Sequence, residues 1–488
     1  MDALNKKVAI GAGWAIFTRL LVKSLGLIST VILARVLAPE DFGVIAMCMI
    51  IIAFLEVFTS FGFDINIIQR DKVCNRLLDS AWTLKLVTGG VLTLILVVIS
   101  EYIGLYYDDT RLVQLTLVLS CLPLISSLQN IGFVLYRKKL DLTKEFRLEV
   151  VSKLGSFIAT IGFAIFLENY WALVIGMYVN AVMKVIMSFL MHPYRPHFSL
   201  VYAQELFKFS KWLLLNNLLI FFNHKITDLF IGKQSSAQEL GFYTVGYEIS
   251  NLPTTELVFP LSRAIFPGYA KIREDKSLLK KMFLQYTTVI IFFAAPISFG
   301  IAVLSKDIVA ILLGDKWEGV EDIIYILAFY GLIRASVSNA GSVFLAIGKP
   351  MIPVVISTIR LVLIIPLLLF LVPTNLAVGG AWSVLLVSCI VFFMSLGSLA
   401  YCISIDFKEY LSIFLPPVIV SSIMYFTLLL LQENSYFTSS LIIGFIMQVS
   451  LGAVIYLLLI ILYFRIYQTE HFSFQLMEKI KEILKGKL

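Results

Sequence analysis

Fourteen stretches of about 20 mostly apolar residues run through this chain, each long enough to carry a helix across a lipid bilayer. They lie near 9–34, 42–62, 79–100, 112–135, 148–167, 170–190, 207–232, 243–266, 283–304, 320–346, 351–372, 380–403, 411–431 and 440–464. One compact interior cannot absorb them, because a single core stops growing beyond roughly 250–300 residues. With 59% apolar residues and a mean hydropathy of +0.91, the 488-residue chain must turn apolar surface toward lipid. Strand alternation is absent, which argues against a barrel. The fold class is therefore an all-α integral membrane protein of about 14 transmembrane helices. A soluble enzyme, a disordered chain, a fibrous repeat and a nucleic-acid-binding domain are excluded. Cys48, Cys74, Cys121, Cys389 and Cys402 have no close spacing, so neither a disulfide framework nor a metal site is indicated, and no cofactor is expected.

Direction follows from the basic residues. With the N-terminus cytoplasmic, 25 of the 39 Lys and Arg fall in one set of loops and the two tails, and the opposite loops hold five: Arg35, Arg111, Lys233, Lys306 and Lys316. Both termini are expected in the cytoplasm. The first stretch is too long and too charged for a signal-peptide core and is expected to remain as a membrane helix. Pro123, Pro253, Pro260, Pro296 and Pro366 are expected to kink their helices. From His471 to Leu488, apolar residues at helical spacing alternate with Lys479, Lys481, Lys485 and Lys487. That pattern reads either as a basic amphipathic helix on the anionic leaflet or as a solvated tail.

Sliding the chain on itself by 198 residues aligns Trp14 with Trp212, Arg35 with Lys233, Asp41 with Glu239, Phe42 with Leu240 and Gly43 with Gly241. Spans 1 and 2 thus correspond to spans 7 and 8. Six spans separate the copies, so both run the same way through the membrane, as a parallel repeat does. The implied organisation is an N-terminal lobe over 1–200, a C-terminal lobe over 201–404, two further spans within 405–464 and a tail over 465–488. Two similar bundles side by side suggest a transporter with its path between them.

Ionisable groups deep in a span cost about 2.5–3.5 kcal/mol each on insertion scales and usually face a wet cavity. Lys85, Lys153, Lys184 and Arg263 lie near cytoplasmic ends and can snorkel. Arg19 lies about ten residues, or ~15 Å, into the first span. It shares a helix face with Lys23, Gly26 and Thr30, and in the repeat register that stripe maps onto Asn217, His224 and Asp228. Arg19 and Lys23 either line a cavity or act as counterions for Glu56. Arg334 with Ser338 and Arg360 with Ser357 lie near mid-depth in spans 10 and 11 and either line the cavity or serve a structural role within their bundle. Lys225 is either a cavity cation or the partner of Asp228, and His224 either relays protons or donates a structural hydrogen bond. Glu248 and Glu256 in span 8 either bind a coupling proton or sodium ion, for which Asp228 and Glu56 are further candidates, or stabilise the breaks at Pro253 and Pro260. The mid-depth surplus is cationic, which suits an anionic cargo held by the planar guanidinium fork.

The segment Leu33-Ala34-Arg35-Val36-Leu37-Ala38-Pro39-Glu40-Asp41-Phe42-Gly43 resembles the opening of a Wzx-type lipid-linked oligosaccharide flippase. Those flippases belong to the multidrug/oligosaccharidyl-lipid/polysaccharide (MOP) superfamily, and the branch containing colanic acid and teichuronic acid exporters is the most similar. The resemblance spans nearly the whole chain. It implies two lobes forming a V with the first and seventh helices lining a central cavity. It also implies an undecaprenyl-pyrophosphate-linked oligosaccharide as cargo, bound by cavity cations at positions matching Arg19 and Lys23, and less securely Arg334 and Arg360. Membrane lipids, a coupling ion and glycan polymerase or assembly proteins are the expected partners.

Two rival functions differ in class. An organic-cation efflux pump of the same superfamily would show the reverse charge balance at depth. A multispan glycan polymerase needs a sizeable outer loop carrying catalytic groups, whereas the longest outer loops here, near 305–319 and 101–111, are short. No phosphate-cradling Gly-rich loop with Lys-Ser/Thr is present.

Overall fold

A computed structural model describes residues 2–59, 62–70, 73–139, 141–209, 211–253, 265, 268–433 and 440–466. The basic tail and Glu256 lie outside the described residues, as do Pro260 and Arg263. Every regular element among the described residues is helical. In chain order these are α1 (Asp2–Val36), α2 (Pro39–Thr59), α3 (Phe63–Gln69), α4 (Asn75–Tyr107), α5 (Arg111–Leu119), α6 (Cys121–Ser127), α7 (Val134–Lys138), α8 (Leu142–Leu167) and α9 (Trp171–Met191). They continue with α10 (Ala203–Phe209), α11 (Lys211–Gln234), α12 (Ala237–Pro253), α13 (Lys276–Val303), α14 (Ser305–Ile308), α15 (Val320–Val337), α16 (Ala340–Ala346), α17 (Met351–Ile403), α18 (Phe407–Glu433) and α19 (Leu441–Ile466).

Among the described residues, ten helices are long and apolar enough to cross a membrane, or eleven where the bent pair Arg111–Ser127 with Ile131–Lys138 counts as one span. This multi-pass architecture agrees with the expected class. The two polar stretches read as spans 7 and 8 fall short for a physical reason. Helix α11 carries Lys211, Lys225, Asp228 and Lys233, while α12 is 17 residues long where its description ends.

Helix α17, at 53 residues, would be ~80 Å long if straight, more than twice a ~30 Å hydrocarbon core. It breaks at Asn375 (φ −128°) and Leu376 (φ 51°, ψ −134°). A Cβ built on Gly379 would stand 2.0 Å from the carbonyl oxygen of Leu371, eight residues back. Eight residues of straight helix separate such atoms by ~12 Å, so the chain doubles back here as a helical hairpin. Proline acts unevenly. Pro123 removes the bond that would bridge α5 to α6, and the helix breaks at Ser120, whereas Pro296 and Pro366 lie inside continuous helix.

The repeat is legible in these breaks. The bent fourth span turns beside Asn130 and the α15–α16 break falls at Asn339, a spacing of 209; α8 and α17 begin at Leu142 and Met351, again 209 apart. Left-handed residues Glu168 (φ 50°) and Leu376 (φ 51°) close the two hairpins, 208 apart. The register moves from 198 to 209 because the outer connection 304–319 is longer than its counterpart at 108–110.

The chain divides into two compact units, Met1–Thr244 and Val245–Leu488. In the first, Phe63, Ile67, Leu77, Leu78, Trp82 and Ile131 form a core beneath α3 and α4. Glycines allow tight crossings there: Ser156 Oγ donates to the Gly176 carbonyl at 2.8 Å, and a Cβ on Gly176 would strike Thr160 Oγ1 at 1.8 Å. In the second unit, Ile291, Ala295, Leu332, Met424 and Ile460 pack α13 and α15 against α18 and α19. Hydroxyls within the spans bond to their own helix, as Ser250 does to the Gly246 carbonyl (2.8 Å) and Ser383 to that of Gly379 (2.8 Å). That is the response expected where lipid offers no partner.

Candidate functional site

Several charges at the ends expected in the cytoplasm are matched within the first unit. Lys85 Nζ meets Asp64 at 2.6 Å, Arg137 meets Glu145 at 2.8 Å, and Lys184 meets Glu149 at 2.9 Å. The segment after α9 is strapped over the end of α4: Asp79 accepts from the Tyr194 hydroxyl and from His197 N (2.9 Å), and Ser199 N donates to Thr83 Oγ1 (3.0 Å). His192 Nδ1 accepts from Tyr194 N at 3.1 Å. Burial, aided by Lys139 and Arg195, holds the His192 pKa below its ordinary value, consistent with a neutral ring acting as acceptor.

Deeper in the first unit, α1 and α11 carry the two polar seams. Lys23 and His224 are exposed, while Arg19, Thr30 and Asn217 are half-buried. On α11, Lys225 Nζ lies 2.7 Å from Asp228 Oδ2, so the pairing reading of these two residues is realised in this structure. Glu56 is exposed on α2, which reaches α11 through Phe54 against Phe221 and Phe222, with ring centroids 5.4 and 6.0 Å apart. Burial rises along both seam helices toward the end expected outside. Leu33 and Ala34 of α1 and Leu37 just after it are almost fully covered, as are Asp228 and Ile231 of α11.

The second unit assembles a site that charge counting only half reveals. Arg334 Nη1 of α15 donates to the Tyr247 hydroxyl and to Asn251 Oδ1 of α12, each at 3.2 Å. Its guanidinium lies 5.9 Å from the centroid of the Tyr330 ring, one turn earlier on α15. Arg360 of α17 acts on the Tyr247 and Tyr330 hydroxyls as well. Two arginines from different helices thus converge on one pair of tyrosines near mid-depth, with half-buried Glu248 adjacent to Tyr247 in sequence. Tyr247 and Tyr330 were not legible as site residues. The available signal was their i, i+4 spacing from Asn251 and Arg334, which puts each pair on one helix face.

At the expected outer end, the repeated acidic-apolar-glycine motifs meet each other. A Cβ on Gly43 would stand 1.6 Å from the Ala237 carbonyl oxygen, and one on Gly241 would stand 1.9 Å from that of Pro39. Pro39 and Ala237 are themselves 198 apart, so the contact is reciprocal in the repeat register. Each glycine's Cα hydrogen faces the opposite helix's carbonyl, as in the close crossings that only small residues permit. Around the crossing, Asp41 accepts from Ala38 N (2.9 Å) and Tyr170 N (3.1 Å), and Arg111 joins Glu40 and Asp109 at 2.6 Å each. Lys233 donates to the Tyr106 carbonyl and lies 4.6 Å from the centroid of the Tyr106 ring.

An all-helical bundle whose described residues include ten helices long and apolar enough to cross a membrane defines a multi-pass membrane protein. Its fold matches lipid II flippase MurJ in an inward closed conformation, with a TM-score of 0.74 over 93% of this chain and 99% of that one at 16% identity. Residues 32–322 match the family described as polysaccharide biosynthesis protein. The chain belongs to that family. Among its relatives, the lipopolysaccharide biosynthesis protein WzxC of Escherichia coli K12 is 26% identical over 433 residues, 86% of this chain and 88% of that one. The teichuronic acid biosynthesis protein TuaB of Bacillus subtilis 168 is 24% identical, covering 87% and 89%.

Proposed function

We propose that this protein moves an anionic polyprenyl-pyrophosphate-linked oligosaccharide from the cytoplasmic to the outer leaflet of a bacterial plasma membrane by alternating access. It is a transporter and not an enzyme. The convergence of Arg334 and Arg360 on Tyr247 and Tyr330 carries this reading. Planar guanidinium groups held against hydroxyls of α12 and α15 suit the oxygens of a phosphate or carboxylate cargo. Arg19 and Lys23 on α1 add a second cationic seam, with Thr30, Asn217 and His224 as its polar lining. The relatives named for lipopolysaccharide and teichuronic acid support a glycan cargo.

Both termini are assigned to the cytoplasm, with fourteen crossings. The copies over 1–200 and 201–404 move, and the helices within 405–464 stand outside the repeat. Asp228, Glu248, Glu256 and Glu56 are the groups able to take a coupling proton or sodium ion; Lys225 is the internal counterion of Asp228. A cavity of about 420 Å³ between α13, α18 and α19, lined by Phe293, Pro296, Met424, Val449 and Gly452, is apolar enough for a lipid chain. The cytoplasmic tail over 465–488 adds an electrostatic anchor on anionic lipid, and glycan polymerase and assembly proteins are the partners on the pathway side.

Complementation of a strain lacking an acidic-glycan flippase tests this. The native chain restores surface glycan, and Arg334→Ala/Arg360→Ala loses it at unchanged membrane abundance. Restored export by the double variant removes the arginine site. Resistance to cationic dyes without any effect on surface glycan replaces the reading with efflux.

A further inference from the structure

Glycine inside a helix costs about 1 kcal/mol relative to alanine, yet both repeat copies place one at the same point, four residues into α2 and into α12. The surroundings explain the demand. At Gly26, Gly162, Gly300 and Gly397 an added Cβ would meet nothing within 4 Å, whereas at Gly43 and Gly241 it would overlap a carbonyl of the opposite copy. The glycines are thus required by a contact between the copies and by nothing within either helix. That contact also sits where burial closes over the seams. Lys23 and His224 are exposed, but Leu33, Ala34, Asp228 and Ile231, further along the same two helices, are covered.

We propose that the reciprocal Gly43–Ala237 and Gly241–Pro39 contact is the outer closure of the transport path, a backbone clasp between the copies that parts whenever cargo leaves on the outer side. This rests on the alternating-access reading above. The clasp uses main-chain atoms at distances no side chain tolerates, so it acts on one state alone. A methyl group at either glycine opposes closure and leaves the open state untouched. Separation of α2 from α12 also frees the carbonyls of Pro39 and Ala237 to water at the outer surface, so opening strands no buried polar group.

The test replaces Cys48, Cys74, Cys121, Cys389 and Cys402, installs Thr30→Cys as a reporter on the α1 seam, and labels whole cells with a membrane-impermeant maleimide. Because a minor conformer is commonly populated at about 0.1–10%, Gly43→Ala and Gly241→Ala should each raise the labelling rate about tenfold. Gly162→Ala, which adds the same methyl into open space on α8, should leave it unchanged. Export by the otherwise native chain should fall with Gly43→Ala and Gly241→Ala. Labelling that matches the Gly162→Ala control overturns the proposal.

Where the alanine variants lose membrane abundance, spin labels at Glu40 and Gln238 on a chain with both glycines intact decide instead. Two interconverting distances support the clasp, and a single narrow distance under every ion and cargo condition removes it. Labelling needs no cargo, so the two readings fail separately. A tenfold rise in a chain that never restores glycan export leaves the closure standing and overturns the cargo.

Discussion

At the scale of single residues, the structure separates charges that balance one another from charges that gather. Lys85, Lys184 and Lys225 each have a carboxylate within 3 Å, whereas Arg334 and Arg360 share tyrosines. Guanidinium geometry should therefore matter at the second site. Arg360→Lys keeps the charge but loses the planar fork, and we expect it to reduce glycan export about tenfold, a change of ~1.4 kcal/mol in cargo binding, with no change in membrane abundance. Arg19→Ala/Lys23→Ala tests the other seam; export should be lost while abundance stays normal, and full export by this pair removes α1 from the path. Intramembrane charge was legible in the sequence because insertion cost makes each such residue conspicuous. The tyrosines were not, since an aromatic residue in an apolar span carries no such mark.

At the scale of elements, helix identity follows from hydropathy, but the breaks need local chemistry. Pro123 announced one and Pro366 did not produce one, while the 57° bend near Asn130 had no proline to mark it. The α17 hairpin turns on Leu376, an exposed β-carbon-bearing residue in the left-handed region. That conformation costs roughly 1 kcal/mol for a residue with a side chain, so Leu376→Gly should raise the thermal midpoint of the purified protein slightly; a fall would show that the leucine side chain matters more than its backbone angle. The strap over α4 supplies a pH dependence. His192 must be neutral to accept from Tyr194 N, and its folded pKa lies below the unfolded one, so the unfolded chain binds the extra proton first. Its contribution to stability is present above pH ~6.5 and is lost as pH falls through the lowered folded value. Melting curves of native and His192→Gln protein should converge on acidification and separate near neutrality; parallel curves would remove the strap from the pH response.

At the scale of the whole molecule, the 25-to-five division of basic residues leads us to expect a direction that can be measured. A lone cysteine at Lys316 should react with an impermeant reagent from outside and one at Lys276 should not; the opposite pattern inverts the topology and with it the direction of transport. The repeat was legible from five aligned residues in the first two spans of each copy, but its later register was not, because the longer outer connection shifts it by 11. That the two aligned glycines touch could not be read from the alignment at all, since a sequence register says which residues are equivalent and nothing about which of them meet. The α17 hairpin carries a consequence for synthesis. Its turn is two residues long, with Lys349 before the hairpin and Lys408 after it on the side expected to be cytoplasmic. A nascent chain with so little to push across has no reason to pause between the two helices. They should leave the translocation machinery together as one prefolded wedge, so in a chain truncated after residue 374 the last helix should stay accessible to aqueous reagents, whereas truncation after 405 should leave both helices protected in the bilayer.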